Sequence, residues 1–445
     1  MSKIISAVDV LPLRDHAKRI YQLAVDFVEN ECIPAEEIYG AQMAAAPDRW
    51  NFVPPIVKEL QKKARALGLW NLFLTEEYGP EISKAHLSIM EYSVICEIFG
   101  RASLAPIATN CAAPDTGNME VLAMFGTPAQ KEKWLKPLMN AEIRSAFVMT
   151  DPDVASSDAT NIATSMTKSA DGKHYIINGR KHWISNFSHP DCRLLILVGK
   201  TGGEGGRHGQ HTVVLIEKPK TGIPGLTVVR HLSVFGYDHA PGGHDELLFQ
   251  DVKVPVENVV LGEGKGFAVL QGRLGGGRIH HCMRSLGQGE RAIELMLLEA
   301  TNPKKRPFGK LKGEHGKIQW DIAQCRIKLE MCKHLVYAAA MAMDKKGYKA
   351  AAREIAMAKV AVPQIICEVI DSAIQVHGGL GISQSTELAH MYGGMRTLRF
   401  ADGPDEAHAA QLARTELKNA AAIRAKHDGY KKKEVEMRKQ LRISH

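Results

Sequence analysis

Asp402, Asp405 and Glu406 fall within five residues of one another in RFADGPDEAH (399–408), a short acidic loop between two helical stretches. One of these carboxylates can act as a general base, provided that an apolar pocket and a bound ligand tune its pKa. The same residues fit an Asp-Gly-Pro turn leading into a helix capped by Asp405. Both readings can hold, because cap and base are different residues. A second segment, FVMTDPDVASSDATN (147–161), is a strand end opening into a loop of hydroxyls, Asp and Pro. Its donors can hydrogen-bond the edge of a flat heterocycle, although a polar loop with helix-capping residues fits the composition better.

Three further segments carry possible chemistry. HWIS (182–185) follows an Asn178-Gly179 turn, and sets a Trp that can stack on a ring beside a hydroxyl that can bond its edge. By itself, a buried core Trp is the commoner explanation. IQVHGGLGIS (374–383) ends a helix in glycines that admit close approach of a phosphate or ribose, or that merely stop the helix. LGGGRIHHCMR (274–284) sets three glycines before Arg278, which can open a channel for a long ligand. His280, His281 and Cys282 invite a metal reading, but adjacent helical residues face different ways, so no metal is expected there or at His239 and His244.

The elements that must position these residues follow from periodicity. Residues 1–145 read as helical: Ile20, Ala24, Phe27 and Val28 share a face, with Pro34 expected to end that helix, and residues 55–68 run from a proline start to a glycine stop. From 146 to 262 the runs become short and strand-like, separated by turn signals, with 201–210 as a hairpin loop. From 263 to 427 helical stripes return, in Ile322, Cys325, Leu329, Cys332 and Val336, then in Ile366, Val369, Ala373 and Val376. Pro363 is expected to start or kink the second of these. Residues 428–445 form a basic tail, read as a solvated terminal helix. The fold class expected is α+β multidomain: an N-terminal helical domain, a middle all-β domain built as a small barrel or sandwich, and a C-terminal four-helix-type bundle.

A chain of 445 residues is long enough for two or three domains. No apolar run spans a bilayer, and no signal peptide or SKL-type address is visible, so a soluble intracellular protein is expected, its compartment left open. The eight cysteines include no CxxC pair, which fits a reducing compartment and argues against a zinc knuckle. Net charge is +8, much of it in the tail, where the alternative to a solvated helix is a patch for nucleic acid or membrane; a modest positive balance also suits a ligand with several phosphates. The absence of GxGxxG after a strand, GxxxxGK[ST], GxSxG and HExxH weakens the Rossmann, P-loop, α/β-hydrolase and zincin readings.

Taken in order, MTDPDVASSDATN, LGGGRIHHCMR and LRFADGPDEAH resemble the acyl-CoA dehydrogenase family, from about residue 15 to 425, and most of all the dehydrogenase domain of its kinase-fused branch, as a stand-alone member. The resemblance implies the acyl-CoA dehydrogenase fold, with an N-terminal helical domain, a middle β-barrel domain and a C-terminal four-helix bundle, and FAD at their junction. It places Phe147, Met149, Thr150, Ser156 and Ser157 in the flavin loop, with Ser157 also at the CoA moiety. Trp183, Ile184 and Ser185 cover the flavin near N5. Gln375, Gly378 and Gly379 bind the ADP half from a neighbouring subunit, and Pro404 and Glu406 lie at the cofactor. Gly275, Arg278 and Gly403 line the acyl-CoA channel. Asp402 is the base that takes the α-proton while hydride passes from Cβ to flavin N5, yielding a trans-2-enoyl-CoA. An electron-transfer flavoprotein or oxygen then reoxidises the flavin in a homodimer or homotetramer.

Three departures stand out. Most of the family has Glu as base, and Asp is shorter by about 1.5 Å of reach. The Arg that reaches FAD across the subunit interface aligns with Lys305, with Arg306 beside it, and a Lys lacks the bidentate fork. The Gln expected a turn later aligns with Gly316. Two other readings share the fold: a flavin oxidase of the nitroalkane type, which also uses an Asp base, and a non-catalytic acyl-CoA sensor or DNA-associated protein.

Overall fold

The computed structural model describes residues 11–203 and 206–443. The N-terminal region is helical: α1 (Asp15–Phe27), α2 (Ile33–Ala45), α3 (Pro55–Ala66), α4 (Ile89–Gly100) and α5 (Asp115–Phe125). Pro34 does not end the first helix. The rod passes through a wide π turn at Val28–Cys32, and Pro34 falls in the first turn of α2, where its missing N–H is not needed. Ala24, Phe27 and Val28 are fully buried, as their spacing predicts. α3 runs on to a left-handed Gly68 (φ 73°). α4 opens with a Ser88–Glu91 capping box and is buried along its whole length.

The middle region is one seven-stranded sheet: β1 (Arg144–Val148), β2 (Ser165–Lys168), β3 (His174–Ser185), β4 (Cys192–Lys200), β5 (His211–Glu217), β6 (Leu226–Leu232) and β7 (His244–Pro255). The order is β1-β4-β2-β3-β7-β6, with β5 on β4. β4 and β5 form an antiparallel hairpin around the 201–210 loop, whose residues 204 and 205 lie outside the described ones. β4 is buried on both faces. Leu194, Ile196 and Val198 join the helical core, whereas Leu195 and Leu197 face the interior of the sheet, an alternation set by the period of two.

The C-terminal region comprises α6 (Gly266–Ala300), α7 (Gly316–Ala350), α8 (Ala352–His377), α9 (Leu388–Thr397), α10 (Asp405–Leu417) and α11 (Ala420–Leu441). The Cys325–Val336 and Ile366–Val376 stripes are buried against α6. Pro363 lies inside α8, about three turns beyond its start, and a left-handed Gly347 (φ 74°) breaks α7 just before its end. α6 joins this bundle to the N-terminal helices. Gly100 of α4 and Gly287 of α6 meet so closely that a Cβ on either would overlap the other helix's backbone. α11 carries no buried residue. No helix among the described residues is long and apolar enough to cross a membrane.

Candidate active site

The 402 loop lies between α9 and α10 and is held by main-chain contacts from three helices. Arg278 Nε of α6 donates to Asp402 O (3.0 Å), and His408 Nε2 of α10 lies 3.3 Å from the same oxygen. Lys359 of α8, fully buried, donates to Leu398 O and to Gly403 O (3.3 Å). Asp402 is left-handed (φ 56°), and Gly403 follows at φ 108°, a conformation suited to glycine. A Cβ at Gly403 would also stand 2.8 Å from His408 Nε2. Asp405 does not cap α10. It is the first helical residue, and its carboxylate turns back to Arg399 (2.6 Å), while Pro404 is the N-cap. Glu406 points to solvent in the first turn.

The Asp402 carboxylate points inward, against α6. Arg273 Nη1 is 3.5 Å from Oδ1, and His281 Nε2 is 3.3 Å from Oδ2. Burial pushes the carboxyl pKa up, but the hydrogen bond from His281 and the charges of Arg273 and Arg278 outweigh it and hold Asp402 well below the usual carboxylate range. The group is therefore ionised at neutral pH.

The three glycines of α6 leave gaps on the helix that side chains of other elements enter. Each makes room for one side chain: a Cβ would stand 3.2 Å from the Tyr348 ring at Gly275, 2.7 Å from Glu120 Oε1 at Gly276, and 2.6 Å from Asp402 Oδ2 at Gly277. The glycine at 277 is how an Asp comes so close to the helix. Glu120, on α5, is a second carboxyl at the site that its sequence context did not signal. Its Oε1 accepts from Tyr78 Oη (3.1 Å), and its buried Oε2 has no partner among the described residues. Burial, reinforced by Glu77, raises its pKa to about 8, so it is neutral at pH 7. Arg278 holds the base loop through the main chain, as above.

The 147–161 loop is fastened from beneath. Lys181 of β3 is wholly buried and bonds Asp151 Oδ1 (2.7 Å), Met149 O (2.6 Å) and Val198 O (2.9 Å). Asp151 also accepts from the N–H groups of Ala163 and Thr164. Desolvation lowers the Lys181 pKa to about 8, which still leaves it charged at pH 7 beside an ionised Asp151. This pair was not singled out in the sequence; the alternation of β3 marks Lys181 as inward-facing, which is the one signal available. Ser156 Oγ is committed to Asp151 N and O, so it shapes the loop rather than presenting a free hydroxyl. Ser157 is exposed and Thr150 half-buried. Phe147 lies under the Arg273 guanidinium (3.9 Å) and so touches the base cluster.

Trp183 is left-handed (φ 57°) and 45% exposed, and therefore not a core Trp. Ser185 Oγ bonds His244 Nδ1 (2.8 Å). Ile184 is buried in the core of the sheet, so only its main chain can face a ligand; the period of two forces it opposite to its neighbours. Gln375, Gly378 and Gly379 are exposed at the end of α8, and no atom lies within 4 Å of where a Cβ would sit on either glycine. Lys305 is paired with Glu299 (2.8 Å), Arg306 is exposed, and Gly316 starts α7 in open space. His280 and His281 diverge, His280 lying 5.2 Å from the Tyr92 ring and His281 against Asp402.

Three family models cover most of the chain: acyl-CoA dehydrogenase N-terminal domain over residues 14–142, middle domain over 146–252 and C-terminal domain over 264–417. The chain belongs to the acyl-CoA dehydrogenase family. Members are FAD-dependent oxidoreductases. Acyl-CoA dehydrogenase family member 10 of Mus musculus is 47% identical over 91% of this chain and 37% of its own length. The probable acyl-CoA dehydrogenase FadE2 of Mycobacterium tuberculosis is 45% identical over 88% of this chain and 93% of its own. A solved Mycobacterium abscessus structure carrying the same family name superposes with a TM-score of 0.86 at 40% identity, covering 92% of this chain and 100% of that one. The chain spans about half the length, or less, of the first curated relatives it matches. The acyl-CoA dehydrogenase fold implied by the sequence resemblance is the one observed.

Proposed function

We propose that this chain oxidises an acyl-CoA thioester to the trans-2-enoyl-CoA, with Asp402 as the base that removes the α-proton. The observation that carries the proposal is the 13%-exposed Asp402 carboxylate, seated against Gly277 of α6 between Arg273 and His281. A carboxylate held so far below its ordinary range is a weak base while the site is open. Substrate that covers its remaining exposed edge desolvates it and raises its affinity for a proton. A thioester whose carbonyl accepts hydrogen bonds has an acidified α-carbon, which closes the rest of the gap.

The residues present around this region fit a flavin. Trp183 offers a 45%-exposed ring near the Ser185 hydroxyl, the Met149–Thr150 main chain is held by Lys181 at Met149 O, and Gly378–Gly379 leave room for a diphosphate's close approach. Bound FAD supplies the hydride acceptor. Phe147, Met149, Thr150, Ser157, Trp183, Ser185 and the main chain of Ile184 are the residues proposed to hold its ring. Gln375, Gly378, Gly379, Pro404 and Glu406 are proposed for the remainder. Lys305 and Arg306 face a partner subunit in this reading. Its support is uncovered apolar surface: Phe308 between them and Gly309 is 97% exposed, and Ile382 is 71% exposed. Reoxidation by an electron-transfer flavoprotein or oxygen belongs to the same proposal.

The test is anaerobic titration of the purified protein with a panel of acyl-CoAs while flavin absorbance is followed. Bleaching by a subset supports the dehydrogenase and identifies the acyl class. Asp402→Asn should keep the flavin colour and lose the bleaching; undiminished reduction in that variant removes Asp402 as the base. Bleaching by a nitroalkane alone would replace the proposal with an oxidase.

A further inference from the structure

We propose that His281 positions the catalytic carboxylate, acting as a neutral hydrogen-bond donor that Arg284 pins in a single tautomer. This rests on Asp402 being the base. Arg273, Gly277, His281 and Arg284 recur along α6 at intervals of four, four and three, and so share one face of the helix. Each has a separate job there: Gly277 supplies space for the carboxylate, Arg273 supplies charge at Oδ1, and His281 meets Oδ2.

The tautomer follows from the next residue on that face. Arg284 Nη2 lies 3.1 Å from His281 Nδ1. A guanidinium only donates, so Nδ1 is the accepting nitrogen and the ring hydrogen sits on Nε2. That nitrogen is the one 3.3 Å from Asp402 Oδ2. Burial keeps the imidazole below its ordinary pKa, so it holds the carboxylate without a second full charge.

The other groups facing the loop do different work. Arg278, Lys359 and His408 bond main-chain oxygens at 402 and 403, and Glu120 faces the site from α5 as a neutral acid. Among the described residues, His281 is thus the neutral donor to the carboxylate itself. A short Asp on a left-handed backbone has one rotatable bond fewer than Glu with which to find its substrate. A fixed donor at one oxygen sets the direction of the other.

The experiment compares His281→Leu, His281→Gln and Asp402→Asn as full-length, FAD-loaded proteins. Flavin-bleaching rate and its pH profile are measured with the best acyl-CoA of the panel. His281→Leu should lower kcat about 10- to 100-fold, the size of one hydrogen bond to a charged group, with KM little changed. Its acid limb should move to higher pH, because the ionised carboxylate loses a stabilising donor. In His281→Gln the amide nitrogen reaches the place of Nε2, and most of the rate and the original limb should return. Wild-type rate and limb in His281→Leu, or equal losses in the Leu and Gln variants, overturn the proposal. If His281→Leu does not fold, Arg284→Leu carries the test. Freeing Nδ1 should lower kcat and move the limb in the same direction, and no change there overturns the pinned donor. Asp402→Asn separates the two layers: full activity in it removes the base assignment and this proposal together, whereas an inactive Asp402→Asn beside an unaffected His281→Leu removes this proposal alone.

Discussion

Gly277→Ala tests the geometry of the base with a single methyl group. The added Cβ would stand 2.6 Å from Asp402 Oδ2, and ordinary contact begins at 3.4 Å, so the carboxylate has to move by about 0.8 Å. The main chain at 402 and 403 cannot follow, because Arg278, His408 and Lys359 hold its carbonyls from three helices. The movement therefore falls on the side chain, away from α6 and from His281. A misplacement of about 1 Å at a reacting group can cost about a hundredfold in rate. The fold should not suffer: Ala in a helix interior is more stable than Gly by about 1 kcal/mol, and the clashing atom is the free end of a side chain. The expected result is an unchanged or higher melting temperature, retained flavin, and flavin bleaching slowed about a hundredfold in anaerobic stopped-flow. Wild-type bleaching in a folded, yellow Gly277→Ala protein would show that the carboxylate's place against α6 does not matter, and would refute the reasoning.

Three other outcomes follow from the same structure. Lys181→Met should destabilise the fold by about 3–5 kcal/mol, because it leaves Asp151 buried without its cation; denaturant titration measures this, and loss of bound FAD should accompany it as the 147–161 loop loosens. Glu120→Gln should be more stable than wild type, by a margin that grows as pH rises from 4.5 to about 8. The sign follows from linkage: the folded state binds that proton more tightly than the unfolded chain, so the wild type loses stability as pH rises through this window, and Gln has no proton to lose. Melting temperatures of the two proteins that run parallel across the window would contradict the neutral-acid assignment. Gly287→Ala should destabilise outright, since its Cβ would overlap the backbone of α4, and a melting temperature at or above that of wild type would show that the two helices do not cross there as closely as described.

Much of this architecture was legible in the sequence because it rests on local periodicity. Stripes at three and four residues placed Leu329, Cys332 and Val336 in the bundle core, and short strand-like runs separated by turn residues placed the sheet between residues 146 and 262, where the strands run from Arg144 to Pro255. The acidic loop and the hydroxyl-rich loop were visible as short contiguous segments, and so was the glycine triplet. Local signals also misled. Pro34 reads as a helix stop but sits in a first turn, and Asp405 reads as a cap but is drawn to Arg399, because caps and stops depend on what else competes for the same groups. Ser156 reads as a free hydroxyl and is spent within its own loop.

Which side chain fills each gap left by a glycine is set by packing alone. Nothing near the glycines at 275–277 indicates that Tyr348, Glu120 and Asp402 occupy their spaces, since those residues come from elements 70 or more positions away. The ion pair of Lys181 with Asp151 and the line from Arg284 through His281 to Asp402 are likewise set by how helices and sheet pack. The sequence by itself determines the elements and the reactive residue types, because both depend on interactions among near neighbours along the chain. Orientation, ionisation and partnership at the base arise from burial and from contacts distant in sequence, and these come into existence only when the elements close on one another.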